Sequence, residues 1–216
     1  MKEYGSFGKI KDSKRKQQLV LNKLMISKFP IIIIASPRTG SSAYCSYLKH
    51  MYAIPDWQEP TLLATSFDEF RNYLTTCDNK YALKILIHQL PGNLVYQSIL
   101  ANDCYKIKLT RENKVEQIIS YYIASFTNIW NSKDKFARGN RYFINIDIDR
   151  IKDAIQHIIH SDKLLDNLDI EFDEEHTYEQ LLQTINLDDS RIQKLIPPTN
   201  YIFLKRVIEQ EYDKYR

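Results

Sequence analysis

The chain has few of the residues that mark disulfide-bonded or metal-binding proteins. Its 216 residues include three cysteines, five glycines and seven prolines. The cysteines, Cys45, Cys77 and Cys104, are odd in number and share no metal-ligand spacing. Neither a disulfide framework nor a zinc centre is therefore expected. Buried free thiols in a reducing cytosol are the expected state of these side chains.

Long apolar segments are also missing. No stretch of about 20 apolar residues occurs, so no membrane span is expected. The start lacks the apolar core of a secretion signal, because Asn22 and Lys23 interrupt its short apolar run. The net charge of +3 does not by itself require nucleic acid. These absences predict a cytoplasmic protein with no membrane span and no nucleic-acid partner.

The hydrophobic content of 44% suits a globular chain of this length with one core. Residues 1–29 are predicted to be a basic N-terminal extension with a helix that packs on the domain. Residues 30–216 are predicted to form a single α/β domain. Its helices and strands follow from the periodicity of apolar residues. Strands are expected near 30–36, 82–88 and 104–110, and helices near 41–51, 66–76, 92–101, 113–127, 149–168, 177–186, 189–195 and 200–214.

The alternation of strands with helices predicts a parallel sheet that helices cover on both faces, with a helical C-terminal third. In such sheets, ligands bind beyond the carboxyl ends of the strands. Pro37, His88 and Arg111 each follow a predicted strand at that end. The predicted topology alone therefore brings these three residues to one edge.

The segment from Pro30 to Ser42 carries the strongest functional signal. Four isoleucines predict a strand that is buried on both faces, and a turn with one glycine then leads into a helix. Backbone N–H groups and the helix dipole at such a junction favour an anion. Arg38 adds a planar set of donors, and Ser41 and Ser42 add hydroxyl groups. This pattern predicts a loop that binds phosphate or sulfate.

The loop differs from that of ATPases, which requires a lysine and a serine or threonine directly after the last glycine. Here an arginine precedes the glycine and no lysine follows it. The sequence instead resembles the loop of sulfotransferases that binds the 5′-phosphosulfate of 3′-phosphoadenosine 5′-phosphosulfate (PAPS). The residues that carry this resemblance are Pro37, Arg38, Thr39, Gly40, Ser41 and Ser42. It implies a P-loop-like three-layer fold.

A second segment resembles the same family. Asn113 and Glu116 suggest a capping box at the start of a helix that follows the strand near 104–110. In sulfotransferases, an arginine at a strand end and a serine on the next helix hold the 3′-phosphate of the donor. Arg111 and Ser120 match that pattern, and the residues between them look like the bacterial carbohydrate sulfotransferases. Trp130 and the segment Tyr142–Ile151 are also similar to that group.

The strand near residue 85 ends in a histidine and, shortly after it, a proline. It is similar to the sulfotransferase strand that carries a lysine and a catalytic histidine. His88 lies four residues after Lys84, whereas the animal cytosolic enzymes have a spacing of two. The resemblance therefore implies catalytic roles for His88 and Lys84, although the spacing departs from the pattern.

Sulfuryl transfer requires charge neutralisation at the leaving phosphate and a base that takes the acceptor proton. Arg38 suits the leaving phosphate. His88 and Glu59 are alternative bases, the latter because the bacterial carbohydrate enzymes carry a glutamate in that region. No metal is required, and no cluster of residues has metal-ligand spacing.

The resemblance implies a PAPS-dependent sulfotransferase that releases 3′,5′-adenosine bisphosphate (PAP). The expected acceptor is a carbohydrate or another small molecule with a hydroxyl group. Two alternatives are a nucleotide-dependent phosphotransferase and a non-catalytic nucleotide-binding module. The missing lysine after Gly40 argues against the phosphotransferase.

Overall fold

A computed structural model describes residues 30–52, 57–58, 68–69, 82–89, 103–130, 142–184 and 197–216. Five strands lie in these ranges: β1 (Ile31–Ala35), β2 (Trp57–Gln58), β3 (Ala82–Leu86), β4 (Tyr105–Thr110) and β5 (Glu174–Thr177). The helices are α1 (Ser41–Tyr52), α2 (Lys114–Thr127), α3 (Ile148–Asp166), α4 (Tyr178–Thr184) and α5 (Tyr201–Tyr212). Short 3₁₀ helices span Ile87–Gln89 and Asp213–Tyr215.

The strands form one parallel sheet in the order β2-β3-β1-β4-β5. All five residues of the central strand β1 are fully buried, so both faces of the sheet are covered there. This burial explains why the isoleucine run is continuous rather than alternating. The prediction of an α/β fold with a parallel sheet is confirmed, and the architecture is consistent with three layers.

The register aligns the carboxyl ends of the three inner strands. Ala35 at the end of β1 pairs with Leu86 of β3 and with Leu109 of β4. The segments that follow these strands therefore leave the sheet at the same edge. Because this edge carries the N-terminus of α1, the loop after β1 meets the residues that follow β3 and β4.

The two outer strands, β2 and β5, were not predicted from the sequence. β2 is only two residues long, and β5 has the polar sequence Glu-Glu-His-Thr. An apolar alternation is absent from β5 because it is an edge strand in contact with β4 on one side. Polar contacts help to hold β5 in place. The Tyr105 hydroxyl donates to Oε1 of Glu174 (2.7 Å), and Oε2 of the same carboxylate contacts His176 Nε2 (2.7 Å).

One predicted strand ends earlier than expected. Residues 82–88 were expected to be extended, but β3 ends at Leu86 and a 3₁₀ helix carries His88. The other strands and the described helices lie within a few residues of their predicted bounds. The predicted helices near 92–101 and 189–195 lie outside the described residues, and the one near 66–76 is described only at residues 68–69, which are helical.

The start of α2 shows a cap that is partly different from the prediction. The Asn113 side chain accepts from the Glu116 backbone N–H (3.1 Å), as a capping box requires. Glu116, however, does not return to Asn113: its carboxylate accepts from Tyr201 and Lys205 of α5. Glu179 accepts from the Asn113 N–H instead (3.2 Å). The predicted hydrogen bond from the Asn113 N–H to the Glu116 side chain is thus replaced by one to Glu179, which lies in another helix.

Apolar side chains form two clusters. The first contains the sheet with α1, Leu165 near the end of α3 and Leu181 of α4. The second joins α2, α3 and α5 around the fully buried Tyr122. Among the helices of the described ranges, none has the length and apolar character needed to cross a membrane.

Candidate functional site

The loop between β1 and α1 has an unusual backbone conformation. Arg38 has a φ of 63° and Gly40 a φ of 79°, so both lie in the left-handed region, while Thr39 between them does not. Such alternation turns successive backbone N–H groups towards one concave side, which is a known way to bind an anion. The Thr39 hydroxyl donates to the Ser36 carbonyl (3.0 Å) and closes the turn. The loop is therefore shaped for an anion.

Helix α1 begins at the same place. The Tyr44 N–H donates to the Gly40 carbonyl (3.0 Å), and the first turn contains no acidic residue that would offset the positive end of the helix. The buried Lys84 ammonium reaches this turn from β3 and donates to Ser42 Oγ (3.1 Å). Lys84 therefore contacts the loop, although its spacing of four residues from His88 departs from the two-residue spacing of the animal cytosolic sulfotransferases.

Arg38 links the loop to α2. Its Nε donates to Ser120 Oγ and its Nη1 to the Trp130 carbonyl, both at 2.9 Å. These contacts bring together two residues that were predicted from separate segments. Burial, and next the neighbouring Arg111 guanidinium, lower the pKa of Arg38. Two guanidinium groups side by side repel each other, and an anion between them would relieve that repulsion.

Arg111 lies against the same loop. Its Nη1 donates to the Arg38 carbonyl (3.2 Å), and its guanidinium carbon is 4.7 Å from the centre of the Tyr178 ring. Its Nε is buried and has no hydrogen-bond partner among the described residues; Glu179 Oε1 is 3.8 Å away. Glu179 thus pairs with the charge of Arg111 without a hydrogen bond to Nε, so this donor keeps hydrogen-bonding capacity that an anion could use.

Gln117 supports the loop from below and was not predicted as a site residue. It is fully buried, and its Nε2 donates to the Pro37 carbonyl (2.7 Å) and to Ser36 Oγ (3.0 Å). Two signals in the sequence pointed to it: its spacing of three residues from Ser120 placed it on the same helical face, and it is one of the residues between Arg111 and Ser120 that resemble the bacterial carbohydrate sulfotransferases. Gln117 and Ser120 together couple the loop to α2.

Tyr178 is a second residue that sequence reasoning missed. A Cβ built on Gly40 would lie 2.5 Å from Tyr178 Cδ2, so this ring packs directly on the glycine. The ring also packs against the guanidinium group of Arg111. The local signal was Thr177 and Gln180, whose side chains each accept from the other's backbone N–H and so cap α4. That signal predicts a helix start but no contact with the loop.

His88 lies at the same edge of the sheet, in the 3₁₀ helix after β3. Its ring meets His157 of α3 edge to face, with 4.5 Å between ring centres. Burial, and next the neighbouring His157, lower the pKa of His88 from 6.5 to about 4. Near neutral pH His88 is thus uncharged, which a proton acceptor requires, although such a low pKa makes it a weak base. Glu59, the alternative base, lies outside the described residues.

The depressed pKa of His88 predicts a loss of stability in acid. The unfolded chain takes up this proton near pH 6.5 and the folded chain only near pH 4, so the free energy of unfolding falls as the pH falls between these values. Urea unfolding of the wild type and of His88→Phe across this window measures the effect. We expect the variant to lose less stability in acid than the wild type.

The comparison with His88→Phe is needed because other groups titrate as well. The pKa of His157 is also lowered, so its protonation in the unfolded chain removes stability as the pH falls below 6.5. The pKa values of Glu116, Glu174 and Glu179 are lowered too, and the stability that their ionisation adds is lost at still lower pH, below about 4.5. Parallel acid curves for the two proteins would contradict the assignment to His88.

No family model matches this chain, and no curated protein matches it either. In the described ranges, no group of three or more His, Cys, Asp or Glu side chains could hold a metal ion. The site combines a helix N-terminus, a concave loop, a buried lysine and two adjacent arginines, with a neutral histidine at the same edge of the sheet.

Proposed function

We propose that this protein is a sulfotransferase that transfers a sulfuryl group from PAPS to a hydroxyl acceptor. The observation that carries the proposal is the contact between the two segments that resemble the donor-binding motifs. Arg38 of the first segment donates to Ser120 of the second, and Arg111 of the second donates to the Arg38 carbonyl. Two motifs separated by about 70 residues thus form one cationic site.

The charges of the site support a ligand with two anionic groups. The loop and the start of α1 suit the 5′-phosphosulfate, because N–H groups and Lys84 converge there. Arg111 and Ser120 suit the 3′-phosphate, because Arg111 Nε makes no hydrogen bond among the described residues and its ion pair with Glu179 is long, at 3.8 Å. PAPS carries both groups on one nucleotide, whereas 5′-AMP lacks the second.

In the proposed reaction, the acceptor oxygen attacks sulfur as the bond from sulfur to the bridging phosphate oxygen breaks. PAP leaves with the bonding electrons, and Arg38 and Lys84 neutralise the charge that grows on its 5′-phosphate. The acceptor proton goes to His88 or Glu59. A carbohydrate is the first choice of acceptor, on the basis of the bacterial resemblance.

Nucleotide-dependent unfolding tests this function against its alternatives. A ligand that binds only the folded state raises the unfolding temperature. We expect PAP to raise it and ATP with magnesium to have little effect. The reverse order would favour a phosphotransferase. Binding of PAP without release of PAP from PAPS, in the presence of a fractionated extract as acceptor source, would favour a non-catalytic module.

Replacement of Arg111 with alanine is expected to remove most of the preference for PAP over 5′-AMP. A charge-assisted hydrogen bond contributes about 1.5–3 kcal/mol, so the affinity for PAP should fall roughly ten- to hundredfold. The affinity for 5′-AMP should change much less. Calorimetric titration of both nucleotides measures the difference.

Arg150→Ala is the matched control, because Arg150 is an exposed arginine at the start of α3 that pairs with Asp147. It should leave both affinities unchanged. Equal affinities of the wild-type protein for PAP and 5′-AMP would remove Arg111 and Ser120 from the 3′-phosphate assignment.

A further inference from the structure

A buried glutamine connects the cationic loop to a lysine and an aspartate. Gln117 is fully buried, and its Nε2 donates to the Pro37 carbonyl (2.7 Å) and to Ser36 Oγ (3.0 Å). The amide oxygen of Gln117 accepts from Lys114 Nζ (3.4 Å), one turn earlier on α2. Lys114 Nζ also lies 2.7 Å from Asp162 Oδ2 of α3. These contacts form a continuous chain from α3 through α2 to the loop.

The orientation of the Gln117 amide decides whether it can hold the loop. Rotation of the amide by half a turn would exchange its oxygen and its nitrogen. The oxygen would then face the Pro37 carbonyl, so two acceptors would meet and a buried carbonyl would lose its donor. The ammonium group of Lys114 has donors and no acceptor, so it favours the amide oxygen on its own side. Lys114 therefore favours the orientation in which Gln117 donates to the loop.

Asp162 holds the ammonium group in this position. The side chains of Lys114 and Asp162 are only 28% and 19% exposed, so water and salt screen this pair less than a surface pair. Asp162 Oδ1 is buried and has no hydrogen-bond partner among the described residues, so Lys114 is the cation that compensates this carboxylate. Without the carboxylate, the flexible lysine side chain would turn its charge towards water.

We propose that Lys114 and Asp162 are positioning residues of the anion-binding loop. Neither needs to touch the ligand, because the pair fixes the Gln117 amide and the amide fixes the Pro37 carbonyl directly before Arg38. The N–H groups of the loop converge on an anion only while the backbone keeps this shape. The inference rests on the proposed function only in so far as PAP is the ligand that reports on the loop.

Calorimetric titration of PAP against Lys114→Met tests this role. Methionine keeps an unbranched side chain but has no donor for the Gln117 oxygen. We expect PAP to bind about three- to tenfold more weakly than to the wild type, as for one lost hydrogen bond. Lys152→Met is the matched control, because it removes the same charge from an exposed pair with Asp149. It should leave the affinity unchanged.

Asp162→Ala distinguishes positioning from charge. Removal of a carboxylate makes the surroundings of the loop more positive, so a purely electrostatic effect would tighten the binding of PAP. Loss of positioning predicts the opposite sign, and PAP should bind about two- to fivefold more weakly. Asp149→Ala makes the same change in charge at an exposed position and should not weaken binding. Tighter binding of PAP to Asp162→Ala would overturn the inference.

A double-mutant cycle shows whether Lys114 acts through Gln117. Gln117→Met removes the amide, and Lys114→Met added to that variant should weaken the binding of PAP no further. Additive losses would mean that Lys114 acts by another route, and they would overturn the inference. Circular dichroism and urea unfolding show whether each variant is folded.

Hydrogen exchange of the Gln117 side-chain amide requires neither a ligand nor a Gln117 variant. Nuclear magnetic resonance measures the N–H groups that donate to Pro37 and Ser36. They should exchange about fivefold faster in Lys114→Met than in the wild type, as for one lost hydrogen bond. Equal exchange rates in the two proteins would count against the role of Lys114 and overturn the inference.

The outcomes distinguish this inference from the proposed function. Faster exchange in Lys114→Met, in a protein whose wild type does not bind PAP, would support the positioning role and contradict the donor assignment. Binding of PAP to Lys114→Met with the affinity of the wild type would overturn the inference and leave the donor assignment intact.

Discussion

Replacement of Gly40 with valine is expected to abolish the binding of PAP and of PAPS. Gly40 has a φ of 79°, which a β-branched residue adopts only at a cost of about 1–3 kcal/mol. A Cβ at this position would also lie 2.5 Å from Cδ2 and 2.7 Å from Cε2 of Tyr178. The loop must then change shape, and its backbone N–H groups no longer converge on the phosphate. Calorimetric titration should detect no binding.

A control experiment distinguishes a change in the conformation of the loop from a general loss of folding. Gly40→Ala combined with Tyr178→Ala removes the steric contact but keeps the unfavourable φ, so it should recover part of the affinity that Gly40→Ala alone loses. Circular dichroism and urea unfolding show whether each variant is folded. A folded Gly40→Val protein with wild-type affinity for PAP would exclude the loop from nucleotide binding.

Replacement of His88 with alanine is expected to lower turnover about a hundredfold if His88 accepts the acceptor proton. The affinity for PAP should stay near that of the wild type, because no described contact joins His88 to the cationic loop. If Glu59 is the base, the same loss should appear in Glu59→Gln, and His88→Ala should have only a modest effect. Single-turnover experiments separate the chemical step from product release.

The pH dependence provides an independent test of the two bases. A histidine whose pKa is lowered to about 4 stays neutral down to that pH, so a rate that depends on it should fall only on the acid side of about pH 4. That fall should be missing in His88→Ala. If neither His88→Ala nor Glu59→Gln slows the chemical step, the acceptor proton leaves through a different group.

Much of the α/β core could be predicted because its signals are local. Four consecutive isoleucines are typical of a strand that is covered on both faces, and β1 is fully buried. Asn113 predicted the start of α2 because a side chain that caps its own helix needs no distant partner. β5 could not be predicted in the same way, since its polar residues are held by pairing with β4 and by Tyr105.

The candidate site could also be predicted only in the part that depends on local sequence and strand pairing. The sequence alone determined which residue types follow the strand ends, and parallel pairing requires those ends to share one edge. Pro37, His88 and Arg111 were therefore predicted to lie at one edge, and the register of Ala35 with Leu86 and Leu109 agrees with that reasoning. Chain connectivity and apolar periodicity are sufficient for such a prediction.

Only the tertiary structure decided which side chains touch. Gln117 supports Pro37, Tyr178 covers Gly40 and His157 meets His88 across sequence separations of about 70 residues or more. No local pattern encodes these contacts, because each depends on the angle at which a helix packs on the sheet and on the rotamers that the packing allows. The same packing lowers the pKa of His88, because burial and a neighbouring ring shift it from the usual value of a histidine.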